Sequence, residues 1–570
     1  MDTILPAAAA LCLVAVAKDI LRPLAVAAIA GGTYVLVKHL LSSRERLRPA
    51  AALCLVAVAK DILRPLAVAA IAGGTYVLVK HLLSSRERLR LAPGPIRWPL
   101  VGNAPQVPLL NPWLTYSKWA DTYGDIIHLD VLGQPVIIIN SAEVARDLLD
   151  KRSSIYSDRP HLVMACDLVG YSETFALKPY GEEFRRQRKL VRQDFAQGTV
   201  PRYYNLQETE ARKLVQAVLH DPTSLAGQMK MRISAIIMEA NYGYTVKSED
   251  DPYITIPFTS MANFSKACAV GTWLVDFIPQ LQYLPHWMPG AGFLRTAREW
   301  REIFMIASWT PYRWCKQNIS TGIAHTPSLC ATSLLQADGE LSKEDECTLV
   351  WAAMSALGGG LDTNVSTILT FFLAMLHYPG IQAKAQAEID AVVGTDRLPS
   401  ITDRASLPYV RSLVTEVYRW NPAVPLCLPH ALNEADVYNG VHLPKGSIVV
   451  PNVWHMLHDP TTYADPMEFK PERYNNSDAE MQKVTDLAFG FGRRACPGYY
   501  FAQGTIFAVI ATVLATCDVV PAVDDRGAPV IPEVAYTSET IVFPKPFKCN
   551  VKSRTERARA LLAHSMPPPE

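Results

Sequence analysis

The residues of this sequence most able to do chemistry surround one cysteine near the carboxyl end. The segment FGFGRRACPG begins at Phe489 and places Gly492, Arg494, Cys496 and Gly498 at the spacing F-x-x-G-x-R-x-C-x-G. A thiolate in front of a helix can ligate a metal ion such as iron when backbone N–H groups and the helix N-terminus stabilise its charge. The glycines permit the tight backbone that aims those N–H groups at sulfur. The alternative is a buried, inert thiol, but one cysteine within five matching positions is hard to explain in that way.

Three elements must position this cysteine. The run after it, up to Thr516, is apolar on nearly all faces, which predicts a helix buried behind whatever the cysteine binds. Glu416 and Arg419 share one face of a predicted helix and can form an ion pair. On its own, such a pair is most often a surface salt bridge of little energetic value.

A third element is a long helix between Ser342 and Pro379. Ser342 with Asp345 resembles a capping box, and the proline marks the stop. Glycines 358–360 interrupt it at about 1 kcal/mol each relative to alanine, so something must approach that backbone closely, or the helix must bulge there. Asp362 and Thr363 follow directly and, taken alone, are an ordinary polar pair.

Together these segments resemble the cytochrome P450 superfamily, in the order typical of that family, from about residue 91 to residue 550. The resemblance is to haem-thiolate monooxygenases of the fungal microsomal type. It implies that Cys496 is the axial ligand of a haem b iron, that Phe489, Gly492 and Gly498 shape the loop that holds the haem, and that Arg494 pairs with a haem propionate. It also implies that Asp362 and Thr363 are catalytic and support proton delivery to dioxygen over the haem.

The resemblance extends to a structural triad and to further haem contacts. The motif PERY contains Arg473, which implies a buried triad of Glu416, Arg419 and Arg473. Phe184-Arg-x-x-Arg188 resembles a W-R-x-x-R element, with an indole N–H lost at Phe184. Arg188 and His430 would contact the propionates, and the alternative for each is a solvated surface cation.

The amino-terminal region predicts a membrane anchor. Residues 8–48 and 50–90 are identical, which indicates a recent duplication or a gene-model error rather than a functional repeat. Each copy carries an apolar stretch, marginal in length for one membrane span, followed by an arginine cluster. If both copies spanned, the two clusters would lie on opposite sides of the membrane, so a single-pass anchor formed by the second copy is expected. The implied location is the endoplasmic reticulum membrane, with the catalytic domain in the cytosol.

The overall composition and the positions of proline and turn residues indicate the remaining segments. Of 570 residues, 49% are hydrophobic, and the net charge of +1 gives no indication of a nucleic-acid partner. Residues 91–105 hold four prolines and predict a stiff, extended hinge. Residues 126–140 predict two strands around a Gly-Gln-Pro turn, and SIVVPNVW contains another strand. The catalytic domain is expected over residues 106–551, and residues 552–570 are expected to be disordered.

The electron-transfer partner is predicted from a missing nucleotide-binding motif and from a cluster of basic residues. No dinucleotide fingerprint lies between a strand and a helix, so a separate NADPH-dependent flavoprotein reductase is expected to supply electrons. A basic surface could dock it, although ordinary surface charge is the alternative; its members are Arg185, Arg186, Arg188, Lys189, Arg192 and Arg493. The resemblance implies substrate contacts from five segments, namely 164–177, 272–293, 358–360, 424–426 and 538–541. Their apolar character favours a hydrophobic substrate.

These observations predict a mainly α fold with a smaller β-rich part, behind an anchor. The predicted reaction is hydroxylation or epoxidation of a hydrophobic small molecule, in secondary metabolism of terpenoid or aromatic compounds by family analogy. Two alternatives stay open. One is a haem-thiolate isomerase or dehydratase that needs no dioxygen, and the other is a non-catalytic haem-binding protein.

Overall fold

The computed structural model describes residues 90–269, 271–321, 327–337 and 340–564. The predicted anchor, apart from Arg90, lies outside the described residues. Helices dominate what is described. Their bounds are α1 Pro112–Tyr123, α2 Ala142–Ala145, α3 Ser153–Tyr156, α4 Glu182–Asp194, α5 Tyr204–His220, α6 Leu225–Tyr242, α7 Pro252–Ala267, α8 Leu274–Phe277, α9 Gly292–Ser320, α10 Leu329–Gln336, α11 Lys343–His377, α12 Pro379–Val392, α13 Pro408–Trp420, α14 Val453–Leu457, α15 Asp478–Ala488, α16 Tyr499–Thr516 and α17 Glu556–His564.

The strands are short and form a minor part of the fold. They are β1 Ile126–Val131, β2 Gln134–Ile139, β3 His430–Ala431, β4 Asp436–Tyr438, β5 Val441–Leu443, β6 Ile448–Pro451, β7 Cys517–Val523, β8 Pro529–Val530 and β9 Cys549–Ser553. Strand β2 pairs in parallel with β6, and β6 pairs antiparallel with β3. Strand β7 lies between β8 and β9. The prediction of a mainly helical fold with a small β-rich part is therefore confirmed.

The chain divides into a small unit and a large one. The small unit contains the described residues up to Gln106, together with His128–Pro135 and Ala435–Pro444. Within it the proline-rich segment is tied down rather than free, because Pro93 O accepts the His128 N–H at 2.9 Å and Leu91 bridges to His442. Residues 91–105, which were predicted to form a hinge, are therefore part of this unit. A proline has no N–H group to donate, but its carbonyl can still accept a hydrogen bond.

Two local predictions need correction. The strands expected over residues 126–140 are present, but the turn between them is Leu132-Gly133, with φ of 53° and 84°. Two left-handed residues match the twist of a tight hairpin, so the following Gln-Pro belongs to β2. The expected disorder after residue 552 is wrong up to His564. Helix α17 buries Ala558 and Leu562, and the Gln216 side chain donates to Leu562 O at 2.8 Å.

The long central helix begins and ends close to its predicted bounds. Ser342 caps α11 by accepting the N–H of Asp345, and 35 residues follow before the helix ends at His377. Its length, ~52 Å at 1.5 Å per residue, is enough to cross the large unit. Helices α11 and α16 have the length and apolar composition of membrane spans, but both are mostly buried inside the protein. Their apolar character therefore reflects a place in the core.

Candidate active site

The cysteine loop runs between α15 and α16 and is held by backbone contacts. Cys496 N donates to Phe489 O at 2.8 Å, which closes the loop. Gly492 has φ of +48°, and a Cβ there would lie 2.3 Å from Leu149 O, so only glycine fits. Its N–H donates to Asp150 rather than to the sulfur. The expectation that both glycines aim N–H groups at sulfur is therefore wrong for Gly492, because a neighbouring carboxylate takes that hydrogen bond.

Cys496 lines a cavity, which leaves the residue exposed, although protein atoms crowd around its thiol. Burial raises the pKa of this thiol, and the Gly498 N–H and the Arg188 guanidinium act in the opposite direction. Gly498 has φ of −93°, which any residue can adopt, and it sits at the N-terminus of α16. A thiolate here thus has a helix N-terminus, one N–H group and a nearby cation to stabilise its charge.

The cavity has a volume of about 300 Å³ and a mostly apolar wall. Aromatic and sulfur-containing side chains from several helices form much of that wall. They include Tyr171, Phe175, Phe264, Phe304, Met261 and Met354. The rings of Tyr171 and Phe304 meet edge to face at 4.7 Å, and the Tyr171 hydroxyl turns away to Ser260 O. The wall therefore presents carbon rather than hydroxyl at this point.

The predicted substrate segments contribute unequally to this wall. Residues 358–360, Val424, Ile541 and part of 164–177 line it, whereas none of residues 272–293 is among the cavity-lining residues of the described chain. Helices α7 and α9 provide Met261, Phe264 and Phe304 instead. Residues 272–293 are absent from the wall because the long helices α7 and α9, before and after this segment, supply the large side chains.

Helix α11 crosses the cavity at its three glycines. A Cβ on Gly358 would lie 2.6 Å from Met261 Sδ, and one on Gly360 would lie 2.7 Å from Ile237 Cδ1. Gly359 faces open space. Close approach of neighbouring helices, one of the two predicted explanations, thus accounts for two of the three glycines.

The two predicted catalytic residues of α11 occupy different surroundings. Thr363 lies on the cavity wall, and its Oγ1 donates to Gly359 O at 2.7 Å. Asp362 is buried and is not among the cavity-lining residues of the described chain. Burial raises the pKa of Asp362 to about 7, Lys230 opposes this shift and Glu539 adds to it. Asp362 can therefore carry a proton near neutral pH, one residue away from Thr363.

Three arginines line the cavity, and two of them, Arg494 and Arg159, are buried while Arg188 is half-buried. Arg494 donates to the carbonyl oxygens of Ser157, Phe175 and Lys178 at 2.7–2.9 Å and lies 4.0 Å from the centre of the Phe184 ring. Burial, with Arg159 nearby, lowers the pKa of Arg494 to about 8. In the described chain these hydrogen bonds go to neutral carbonyls, so the positive charge has no ion-pair partner. Such a group favours an anionic ligand.

Arg188 and Arg159 belong to the same group of cations. Arg188, on α4, donates to Ala495 O beside the cysteine and lines the cavity. Arg159 lines it too and donates to the carbonyl oxygens of Ala176, Leu428 and Pro429. No sequence signal pointed to Arg159, because the surrounding Ser-Asp-Arg-Pro has the composition of a turn.

His430 is buried, so the alternative interpretation of this residue as a solvated surface cation is wrong. Nδ1 is 2.8 Å from Tyr156 O, and Nε2 has no partner among the described residues. Burial and the nearby Arg159 and Arg494 lower the pKa of this imidazole well below its ordinary value. A neutral ring with one free nitrogen can bind another polar group beside the cations.

The three predicted triad residues are in contact. Glu416 and Arg419 are fully buried, and Arg473 is partly exposed. Arg419 binds both oxygens of Glu416 at 2.8 and 2.9 Å, and Arg473 Nε binds Glu416 Oε1 at 3.1 Å. Tyr474 adds a hydrogen bond to Oε2 at 2.6 Å. This tyrosine was missed, although it follows Arg473 directly. The remaining Arg419 donors reach carbonyls of Leu457, Pro466 and Glu468, so the buried charges are compensated.

Comparisons with known proteins agree with this arrangement. The family model described as Cytochrome P450 matches residues 92–544. "Cytochrome P450 monooxygenase 105" of Postia placenta is 60% identical over 83% of this chain and 91% of its own length. "Cytochrome P450 monooxygenase claR" of Ampulloclitocybe clavipes is 42% identical over 83% of this chain and 88% of its own length.

A solved structure shares the fold at lower identity. A zebra fish cytochrome P450 determined with abiraterone superimposes with a TM-score of 0.63 at 21% identity, covering 78% of this chain and 100% of that one. The thiol at the cavity, the long helix across it and these relatives agree. The chain therefore belongs to the cytochrome P450 family and is a monooxygenase of that family.

Proposed function

We propose that the protein hydroxylates or epoxidises a hydrophobic small molecule, with Cys496 as the axial ligand of a haem b iron. The observation that carries this proposal is one cavity with the cysteine sulfur, Thr363 and an aromatic wall around it. The net reaction consumes dioxygen, two electrons and two protons, and yields one oxygenated product and one water.

The residues at the cavity fit a haem. Its apolar ring suits the aromatic wall, and its two propionates would neutralise cations that bind only carbonyls, namely Arg188, Arg494 and Arg159. His430 lies near Arg159 and Arg494 but is not among the cavity-lining residues of the described chain, so its contact with a propionate stays a prediction. Phe489, Gly492 and Gly498 would shape the loop that holds the haem. When bound, a thiolate-ligated haem supplies the redox chemistry that activates dioxygen.

The surrounding side chains then have separate tasks. Thr363 holds a hydroxyl at the cavity wall, where it can pass a proton inward. Asp362, with its raised pKa, can reload that hydroxyl from outside the cavity. The aromatic wall excludes water and orients an apolar substrate. Glu416, Arg419 and Arg473 hold the framework and take no part in the chemistry.

A separate NADPH-dependent flavoprotein reductase is proposed as the electron donor. Arg185, Lys189, Arg192 and Arg493 are exposed on α4 and the cysteine loop. Arg186 is already paired with Glu344 and Asp345, so it contributes less positive charge than expected. An acidic partner could approach this surface close to Cys496.

The proposed setting is the endoplasmic reticulum membrane, and the proposed role is secondary metabolism of terpenoid or aromatic compounds. Both rest on the anchor sequence and on family analogy. The apolar wall supports a hydrophobic substrate.

The first test is the absorption difference spectrum of the reduced, CO-bound protein. A strongly red-shifted haem band is expected for the native chain, and Cys496→Ala should abolish it because the iron loses its thiolate. Cys427→Gly is the matched control, since Cys427 also lines the cavity and has φ of +53°. A red-shifted band retained in Cys496→Ala would refute the ligand assignment.

Turnover measurements distinguish a monooxygenase from an isomerase or dehydratase and from a non-catalytic haem-binding protein. Incubation with hydrophobic compounds, the reductase and NADPH should give oxygenated products. Product formation without NADPH would favour an isomerase or dehydratase. Haem binding without any turnover would favour a non-catalytic protein.

A further inference from the structure

A row of aromatic rings leads away from the cavity wall between α9 and α11. Tyr171 and Phe304 line the cavity, and their ring centres are 4.7 Å apart. On Phe304 the ring of Trp351 stacks nearly parallel, with 5.5 Å between centres. Trp351 is not among the cavity-lining residues of the described chain, so the row continues behind the wall.

Two further oxidisable side chains on α9 extend this aromatic row. Trp309 meets Trp351 edge to face at 6.0 Å between ring centres, and Tyr312 meets Trp309 edge to face at 6.2 Å. Phe304, Trp309 and Tyr312 belong to α9, and Trp351 reaches them from α11. Each ring therefore contacts the next from the cavity wall to Tyr312. Contact between successive π-systems lets an electron move along the row in short steps.

The row ends at a proton acceptor close to the surface. The Tyr312 hydroxyl donates to Glu346 Oε1 at 3.0 Å, and Lys316 Nζ donates to the same oxygen at 2.6 Å. The Lys316 ammonium lowers the pKa of Glu346, so this carboxyl is ionised at neutral pH. The Glu346 side chain is 23% exposed. A proton released by Tyr312 thus has an acceptor, and small solutes come close to it.

Trp309 lacks such an acceptor. Its Nε1 is buried without a hydrogen-bond partner among the described residues, and the Arg313 guanidinium lies 5.6 Å from its ring centre. An oxidised indole keeps a positive charge unless its N–H proton leaves, and a nearby cation disfavours that charge. The phenol of Tyr312, which can release its proton to Glu346, is therefore the favourable end of the row.

We infer that this aromatic row removes oxidising equivalents from the cavity when no substrate consumes them, with Tyr312 as the final electron donor. The inference rests on the proposed function, which places haem and dioxygen chemistry in the cavity. Tyr312 loses one electron toward the cavity through the row, and its phenolic proton passes to Glu346. A soluble reductant such as ascorbate then returns the electron, and Glu346 returns the proton.

The atoms and electrons of this cycle balance with hydrogen peroxide as the oxidant. Peroxide takes up two electrons and two protons and gives two waters, so two cycles consume one peroxide. Each ascorbate monoanion loses one electron and one proton. The sum is one hydrogen peroxide and two ascorbate monoanions giving two waters and two ascorbyl radical anions.

The cavity wall contains side chains that such a route would protect. Met261 and Met354 line it, and oxidation to the sulfoxide would turn these apolar side chains polar. An electron supplied through Phe304 consumes the oxidant before it attacks a thioether.

The first test looks for the radical. The haem-loaded protein without substrate is mixed with hydrogen peroxide and rapidly frozen for electron paramagnetic resonance. The native chain should give a tyrosyl radical that Tyr312→Phe abolishes, since this change keeps the ring and removes only the hydroxyl. Trp309→Phe should lower the signal severalfold, because phenylalanine is much harder to oxidise.

Damage is the second readout of the same samples. In Tyr312→Phe and Trp309→Phe the red-shifted CO band should be present before peroxide is added. The haem should then bleach severalfold faster than in the native protein. Mass spectrometry should find severalfold more sulfoxide at Met261 and Met354.

Trp300→Phe is the matched control. Trp300 lies on α9 and faces Trp273 at 5.7 Å between ring centres, but neither is among the cavity-lining residues of the described chain. Its radical yield and bleaching rate should equal those of the native protein. A tyrosyl signal retained in Tyr312→Phe would overturn the inference. Equal losses in Trp300→Phe and Trp309→Phe would overturn it too.

A further measurement needs no haem chemistry. Azide radicals made by pulse radiolysis oxidise tryptophan directly, and the decay of tryptophan radicals into tyrosyl radical should slow in Tyr312→Phe but not in Trp300→Phe. An unchanged rate in Tyr312→Phe would contradict electron transfer along the row. Loss of the red-shifted CO band in the native protein would count against the proposed function, whereas that band without a radical at Tyr312 would count against this inference alone.

Discussion

At the scale of single residues, the hydroxyl of Thr363 is the group best placed to deliver protons into the cavity. Thr363→Ala should retain the haem and its red-shifted CO band, while product per NADPH falls severalfold and hydrogen peroxide rises. The physical reason is that electrons still arrive but protons do not. Thr363→Ser keeps a hydroxyl and serves as the control. Unchanged coupling in the alanine variant would exclude the relay.

The neighbouring Asp362 makes a prediction about pH. Its folded-state pKa, about 7, is above the ordinary aspartate value of 3.8. The protein therefore loses stability as pH rises from about 4 through 7, because this buried carboxyl ionises. Asp362→Asn should gain stability relative to the native protein over that range, by at most about 4 kcal/mol. Denaturant unfolding at pH 5 and pH 8 measures this, and a pH-independent difference would contradict it.

At the scale of elements, the buried triad ties α13 to the segment before α15. Glu416 is the shared acceptor of Arg419, Arg473 and Tyr474. Glu416→Gln would leave two guanidinium groups uncompensated, so we expect a loss of about 3–5 kcal/mol and failure to retain haem. Haem content and denaturant unfolding report both.

An exposed pair provides the control for this prediction. Lys483 and Glu480 are about half exposed and 2.7 Å apart. Glu480→Gln should cost less than about 1 kcal/mol, because water screens the pair. Equal losses in the two variants would mean that the enclosed triad has no special structural role.

Helix α11 also shows how one element can serve two demands. Its glycines lower helix propensity, yet two of them admit Met261 and Ile237 from neighbouring helices. The weak point of the helix is thus where its packing is closest and where the cavity passes. Packing elsewhere along α11 stabilises it despite this cost.

At the scale of the whole molecule, charge on α4 and the cysteine loop predicts how electrons arrive. Lys189→Glu with Arg192→Glu should raise the reductase concentration needed for half-maximal reduction by about tenfold at low salt. The effect should shrink near 1 M salt, where the Debye length is ~3 Å. Lys552→Glu, on β9, is the control. A salt-independent effect would argue against electrostatic docking.

The sequence alone determined the class of the protein because its strongest signals are local. The spacing around Cys496, the cap at Ser342 and the apolar run up to Thr516 depend only on neighbours along the chain. The family, the helical fold and the bounds of α11 follow from such patterns. The pairing of Glu416 with Arg419 is also local, because the two residues are three positions apart on one helix.

Only the tertiary structure decided which distant residues meet. Arg159 enters the cavity because its loop folds against Leu428 and Pro429, and Asn241 faces it because α6 packs on α11 at Gly360. Long-range packing likewise buries His430, keeps residues 272–293 off the cavity wall and orders α17. Burial and long-range packing depend on residues far apart in the chain, and no local spacing encodes them.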